Sequence, residues 1–254
     1  MSAWEIVAIL LAGVGAGTIN TVVGSGTLIT FPTLLAFGVP PVTANVSNNI
    51  GLVPGSLAGT WGYRRELGGQ RSRVLWLLSA SAIGALAGGV LLLTLPEGAF
   101  EAIVPALILL GVGLVIFQPR LSAWVARRAE RTGSEHARGA PWVWPAVLLA
   151  GVYGGYFGAA QGVLLMAILG IGVAESLQRS NAVKNVLASC VNAVAGLLFA
   201  LVADVDWAVA GLIAIGAVVG GLLGASVGRR LPPLVLRVVI VVVGVAALTV
   251  FLVR

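Results

Sequence analysis

Apolar residues do not alternate along this chain; they form long unbroken runs separated by short polar joints. Eight runs stand out, at about residues 4–23, 43–61, 74–95, 99–117, 142–159, 181–203, 207–227 and 234–253. Each approaches the roughly 20 residues that a helix needs to cross a bilayer. Two shorter runs, 27–37 and 163–173, each follow the first long run of one half of the chain. Eleven residues of helix rise only about 16 Å, roughly half the hydrocarbon core, so these predict half-helices or re-entrant segments. The reading is an all-α polytopic membrane protein with about eight long transmembrane helices and two short broken ones. A membrane barrel would instead alternate apolar and polar positions.

Composition agrees with the pattern. Apolar residues make up 59% of the chain, charged residues only 9%, and mean hydropathy is +1.05. Soluble domains carry about 25% charged residues, so the chain belongs in lipid. Met1 to Glu5 contain no Lys or Arg. A cleaved signal would need a basic start, and residues 4–23 therefore read as a retained first helix.

The halves repeat. A shift of 136 residues aligns Gly15 with Gly151, Gly26 with Gly162, Asn45 with Asn181, Asn48 with Lys184 and Asn49 with Asn185. The Ile83-Gly84-Ala85 stretch, with Gly88 and Gly89, recurs at Ile215-Gly216-Ala217 with Gly220 and Gly221. Residues 1–117 form the first repeat, 118–141 a basic linker, and 142–254 the second repeat.

Charge then sets orientation. Net charge is +6, but the arginines cluster in the joints at 62–73, 118–141 and 228–233, whereas 96–98 and 203–207 carry only Glu97, Asp204 and Asp206. Basic joints stay cytoplasmic, so the charge orients the protein on a membrane and does not mark a nucleic-acid partner. Eight crossings alone would put Arg229 and Arg230 outside and Asp204 and Asp206 inside. Counting each short run as part of an extra crossing removes the conflict. Each half then has an odd number of crossings, the two repeats are inverted, both termini lie outside, and the linker is cytoplasmic in a bacterial-type inner membrane.

Inverted repeats with paired broken helices are how secondary transporters place substrate near the midplane. A break presents free N–H groups and a positive dipole end, which suits an anion. The breaks lie at Gly24-Ser25-Gly26-Thr27 and Ala160-Gln161-Gly162. Beside them, Asn45, Asn48 and Asn49 share one helix face, as do Asn181, Lys184 and Asn185. Lys184 is the only lysine in the chain. Ionisable groups at membrane depth mark function, and asparagine amides donate to oxyanions without carrying a charge.

The candidate substrate-binding set is therefore Ser25, Gly26, Thr27, Asn45, Asn48, Asn49, Gln161, Gly162, Asn181, Lys184 and Asn185, with Tyr153 and Tyr156 as further donors. The competing reading makes the asparagines bundle glue, Lys184 a snorkelling side chain, and the glycines packing residues; Gly84, Gly88, Gly216 and Gly220 are read that way here. No Ser/His/Asp set, metal cluster or phosphate-binding loop is present in the sequence, so neither catalysis nor a cofactor is expected. Lone Cys190 allows no internal disulfide. Glu175 is the nearest carboxylate for proton coupling. The expected partners are a small anion and the lipid bilayer, with a homodimer as an option.

Residues 15–51, GAGTINTVVGSGTLITFPTLLAFGVPPVTANVSNNIG, resemble the glycine break, Pro-Leu-Leu stretch and Ala-x-x-[Ser/Thr] turn of the TauE/SafE family of sulfite-exporter-like permeases. Residues 151–185 resemble that family's weaker second copy. The resemblance implies transport of sulfite, sulfoacetate or another organosulfonate. Gly24-Ser25-Gly26 stands where the family often has three glycines. A carboxylate or amino-acid carrier, and a membrane subunit that transports nothing, are the rival readings.

Overall fold

A computed structural model describes residues 1–129 and 139–226, with isolated positions at 238, 241, 242 and 245. Arg131, His136, Arg138, Arg229, Arg230, Arg237 and all but those four positions of the run 234–253 lie outside the described residues. Nine α-helices are seen among those described: α1 (Ala3–Val22), α2 (Thr27–Ala36), α3 (Pro41–Gly62), α4 (Arg71–Thr94), α5 (Glu97–Ala129), α6 (Val143–Tyr156), α7 (Gln161–Gly172), α8 (Leu177–Val202) and α9 (Trp207–Ser226). A 3-10 turn, Arg64–Leu67, joins α3 to α4.

Five of these are long and apolar enough to cross a membrane: α1, α4, the Gly98–Arg120 portion of α5, α8 and α9. The apolar pattern predicts eight long spans, and the difference has three sources. Helix α3 has the length, 22 residues, but too much polarity, with Thr43, Asn45, Ser47, Asn48 and Asn49 in its first half. Helix α6 stops after 14 residues, because the chain turns at Gly158 with φ +79°. The last run is described at only four isolated positions. Helix α5 continues to Ala129 and so takes up the start of the stretch read as linker.

Local sequence explains the boundaries. Ser2 and Glu5 form a reciprocal cap at the start of α1, each side chain accepting from the other's backbone N–H. That satisfies two donors which the helix itself leaves without acceptors. Pro40 and Pro41 open α3, where a missing N–H costs nothing. The Ser176 hydroxyl accepts from the Arg179 N–H at the start of α8.

Glycine governs the packing. Helix α1 lies against α9, and a Cβ at Gly13 or Gly17 would run into the α9 backbone at Ile213 or Ala217. Helix α4 lies against α6, and a Cβ at Gly84 or Gly88 would run into Leu148 or Val152. Gly216 and Gly220 meet Leu10 and Val14 in the same way. Without water to expel between helices, close backbone approach is what gives lipid-embedded helices their van der Waals contact. All four glycines read as packing residues thus have that role. At the shift of 136, α1 corresponds to α6 and α9 to α4. Each half therefore lends its first helix to the fourth helix of the other half.

Helices α3 and α8 cross at the centre and hold the polar residues that lipid would exclude. An apolar cluster caps one side of this centre, where Phe31 of α2 meets Phe157 edge-on at 5.1 Å and Phe100 of α5 at 6.4 Å between ring centroids.

Candidate functional site

The two breaks touch. The Gly162 N–H donates to the Gly24 carbonyl at 3.0 Å, and a Cβ on either glycine would overlap the other's backbone. Gly24 needs its glycine for a second reason, since its φ is +89°. Its counterpart at the shift of 136, Ala160, holds the same left-handed conformation with φ +60°, which strains an alanine. Both breaks thus place a left-handed residue at the same point, one with a glycine and one against a side chain's preference. The second turns also at Gly158, where the first is still helical at Val22. The Tyr153 hydroxyl donates to the Ala159 carbonyl and steadies the second break, so Tyr153 serves a backbone group.

The candidate asparagines then split by role. Asn45 donates to the Tyr156 carbonyl at 2.9 Å, and Asn181 donates to the Thr21 carbonyl at 3.3 Å. Each therefore closes a carbonyl that the broken end of the other half's first helix leaves free. Lys184 does the same with charge. Its Nζ donates to the carbonyls of Asn20 at 3.0 Å and Thr21 at 3.1 Å, and the side chain is wholly buried. A cation at a helix C-terminus is favourably placed against the helix dipole. It does not snorkel. Beyond these two carbonyls Nζ has no further partner among the described residues.

The exchange of Asn48 for Lys184 follows from its surroundings. Asn48 donates to the Thr27 hydroxyl at 3.3 Å and accepts from Thr30, both on α2. At the shift of 136 those two threonines become Val163 and Met166. An asparagine at position 184 would face apolar groups, whereas a lysine is long enough to reach the end of α1.

Several buried polar atoms near this centre have no partner among the described residues. Ser25 Oγ, Gln161 Nε2 and Asn185 Nδ2 are donors of this kind, and Asn49 Oδ1 and Asn181 Oδ1 are acceptors. Gln161 lies over Gly154, and Asn49 faces Gly196 of α8. An unpaired buried polar atom costs about 1–3 kcal/mol, so each marks a place where a ligand or water completes the bonding. The backbone donors are uneven. Gln161, Gly162, Val163 and Leu164, which open α7, all donate to carbonyls within the protein. At the start of α2, Gly26 and Thr27 N–H groups have no acceptor among the described residues. In this arrangement Gly26, but not Gly162, has an N–H available to a ligand.

Three residues that the sequence reading passed over join the same centre. Ser56 of α3 accepts from Asn192 of α8 at 3.1 Å and from Asn20 of α1 at 3.2 Å. Ser56 and Asn192 are 136 apart, so two positions matched by the sequence repeat bond to each other. The signal was available, because the repeat shift pairs two polar residues inside otherwise apolar runs. Glu175 lies away from the centre, in the joint before α8, bound to Arg73 and Arg179.

A profile of the family described as sulfite exporter TauE/SafE matches residues 9–251. The chain is 27% identical over 238 residues to a "probable membrane transporter protein ORF9" of Sinorhizobium, covering 91% of this chain and 86% of that protein. It is 27% identical over 217 residues to the Escherichia coli K12 "probable membrane transporter protein YfcA", covering 85% and 76% respectively. A "probable membrane transporter protein" of Haemophilus influenzae is 25% identical over 227 residues, covering 87% of this chain and 85% of that one. No solved structure matches the chain.

Proposed function

The chain belongs to the sulfite exporter TauE/SafE family of membrane proteins, and from that premise we propose that it is a secondary transporter of a small sulfur-containing oxyanion. The observation that carries this reading is the meeting of the two breaks beside buried donors without partners. Ser25 Oγ, Gln161 Nε2, Asn185 Nδ2, the N–H groups of Gly26 and Thr27, and the spare hydrogen of Lys184 are what a desolvated oxyanion requires. Lys184, protonated as an anion enters beside it, supplies the positive charge. A sulfite or sulfonate group, with three oxygens, can take donors from both halves at once. The acceptors Asn49 Oδ1 and Asn181 Oδ1 would orient a hydroxyl or amine on the rest of the substrate.

In this reading the halves are inverted repeats that rock about the Gly24–Gly162 contact, so the site faces each side of the inner membrane in turn. Both termini lie outside. A reporter fused after Arg254 that proves cytoplasmic would reject this orientation.

The substrate class is tested by thermal stability of the purified protein with sulfite, thiosulfate, taurine, sulfoacetate and, as the competing class, acetate and malonate. A ligand at about 100 times its dissociation constant adds about 2.7 kcal/mol, a readily measured shift. A rise with the sulfur anions alone is expected. An equal or larger rise with the carboxylates would transfer the protein to the carboxylate reading, and no rise with any anion would reject an anion site.

A further inference from the structure

The two ends of the molecule hold corresponding surfaces in different states. At one end, the start of α3 (40–43) and the joint 202–204 after α8 line a cavity of about 250 Å³, together with the end of α4 and Glu101. At the shift of 136 these surfaces correspond to 176–179 at the start of α8 and 66–68 in the joint after α3. There they are tied together. Arg179 Nη2 donates to the Gly68 carbonyl at 3.0 Å, and Gln70 Nε2 donates to the Arg179 carbonyl at 3.4 Å.

Glu175 anchors both sides of that contact. It accepts from Arg179 Nε at 2.5 Å and from Arg73 Nη1 at 2.9 Å, while Arg73 also donates to Gln70 Oε1 at 2.7 Å. Burial by itself would raise the Glu175 carboxyl, but Arg179 and Arg73 outweigh it and hold the group below the usual carboxylate range. The cluster is therefore charged at neutral pH.

The open end has no such parts. Positions matching Glu175, Arg179 and Gln70 are Val39, Thr43 and Asp206. Asp206 is already engaged, its carboxylate accepting from the N–H groups of Ala208 and Val209 at the start of α9. Among the described residues no ion pair bridges the start of α3 to the joint after α8; the tie there is a neutral one, the Asp206 N–H donating to Ser47 Oγ at 2.9 Å.

We infer that Arg73, Glu175, Arg179 and Gln70 form a one-sided latch, which locks the arginine-bearing end shut while the end with Glu101 and Asp204 stands open. The latch rests on the alternating-access reading, but its test does not depend on the substrate. It biases the resting protein toward one facing, so a substrate entering from the open end must supply energy to break it.

The test is cysteine labelling in nanodiscs, where both faces meet solvent, with Cys190→Ala as background. Ser180→Cys reports the latched end, since Ser180 is buried beside Arg179. Thr43→Cys reports the open cavity. Arg179→Ala should speed maleimide labelling at position 180 about tenfold and slow it at position 43, as a population shift moves the two ends oppositely. Gln70→Ala, which leaves the charges in place, should do the same more weakly. Unchanged labelling at position 180 in both variants would overturn the latch, and so would faster labelling at both positions, which signifies loosening. If no anion stabilises the protein yet the two labels still move oppositely, the latch stands and only the substrate reading falls.

Discussion

The first and second breaks share a left-handed residue at matching positions but spend their donors differently. Gly24 and Ala160 share the left-handed conformation, and Asn45 and Asn181 each close the end of the other half's first helix. Beyond that the breaks diverge. The α7 amides are all used within the protein, one of them on Gly24 itself, whereas α2 keeps the Gly26 and Thr27 amides unspent. The charge sits in the second half, at Lys184, but it is delivered to the last carbonyls of α1 in the first. In the proposed function the first half is thus the receiving side and the second the supporting side. Sharing the fold did not require sharing the chemistry.

Gly162→Ala would break the comparison outright. The new Cβ overlaps the Gly24 backbone, which cannot yield as a flexible side chain would, so a loss of about 3 kcal/mol or more is expected. A thermal midpoint within a degree or two of the parent would show that the breaks do not hold each other. Lys184→Asn tests the asymmetry next. It makes the repeats identical at that position, yet it leaves the Asn20 carbonyl without a donor and the Thr21 carbonyl with Asn181 alone. It also puts an amide where the counterparts of Thr27 and Thr30 are Val163 and Met166. A loss of about 2–4 kcal/mol is expected, with disappearance of any anion-dependent rise in midpoint. Retention of that rise would remove Lys184 from the site. The smallest effect belongs to Ala160→Gly, which gives the second break the residue of the first. Relief of left-handed strain outweighs the added freedom of the unfolded chain, so denaturation should show a gain of up to about 1 kcal/mol. A clear loss would mean that the Ala160 methyl, itself buried, contributes more by packing than its backbone costs.

Much of the fold was legible because lipid imposes simple arithmetic on a chain. Run lengths located every described helix, and the shortness of 27–37 and 163–173 marked α2 and α7 as partial. Helix α3 escaped that arithmetic. Its asparagines make it too polar to count as a span by composition, and it is accommodated only because α1, α8 and α9 enclose it. The site was legible as a set of positions. Which atoms were free was not, because a hydrogen bond between residues 20 and 184, or 24 and 162, depends on where distant helices come to rest.

The sequence alone therefore determined the solvent, the helical class, the two short segments and the residue types gathered beside them. Those follow from the cost of exposing polar groups to hydrocarbon, a cost each residue carries locally. Only the tertiary structure decided that the two breaks meet, that Lys184 closes α1, and that Ser56 finds Asn192. It also placed Glu175 against Arg73 and Arg179, away from the two breaks. These outcomes rest on glycine contacts that bring backbones from opposite halves together, and no local propensity encodes such a contact.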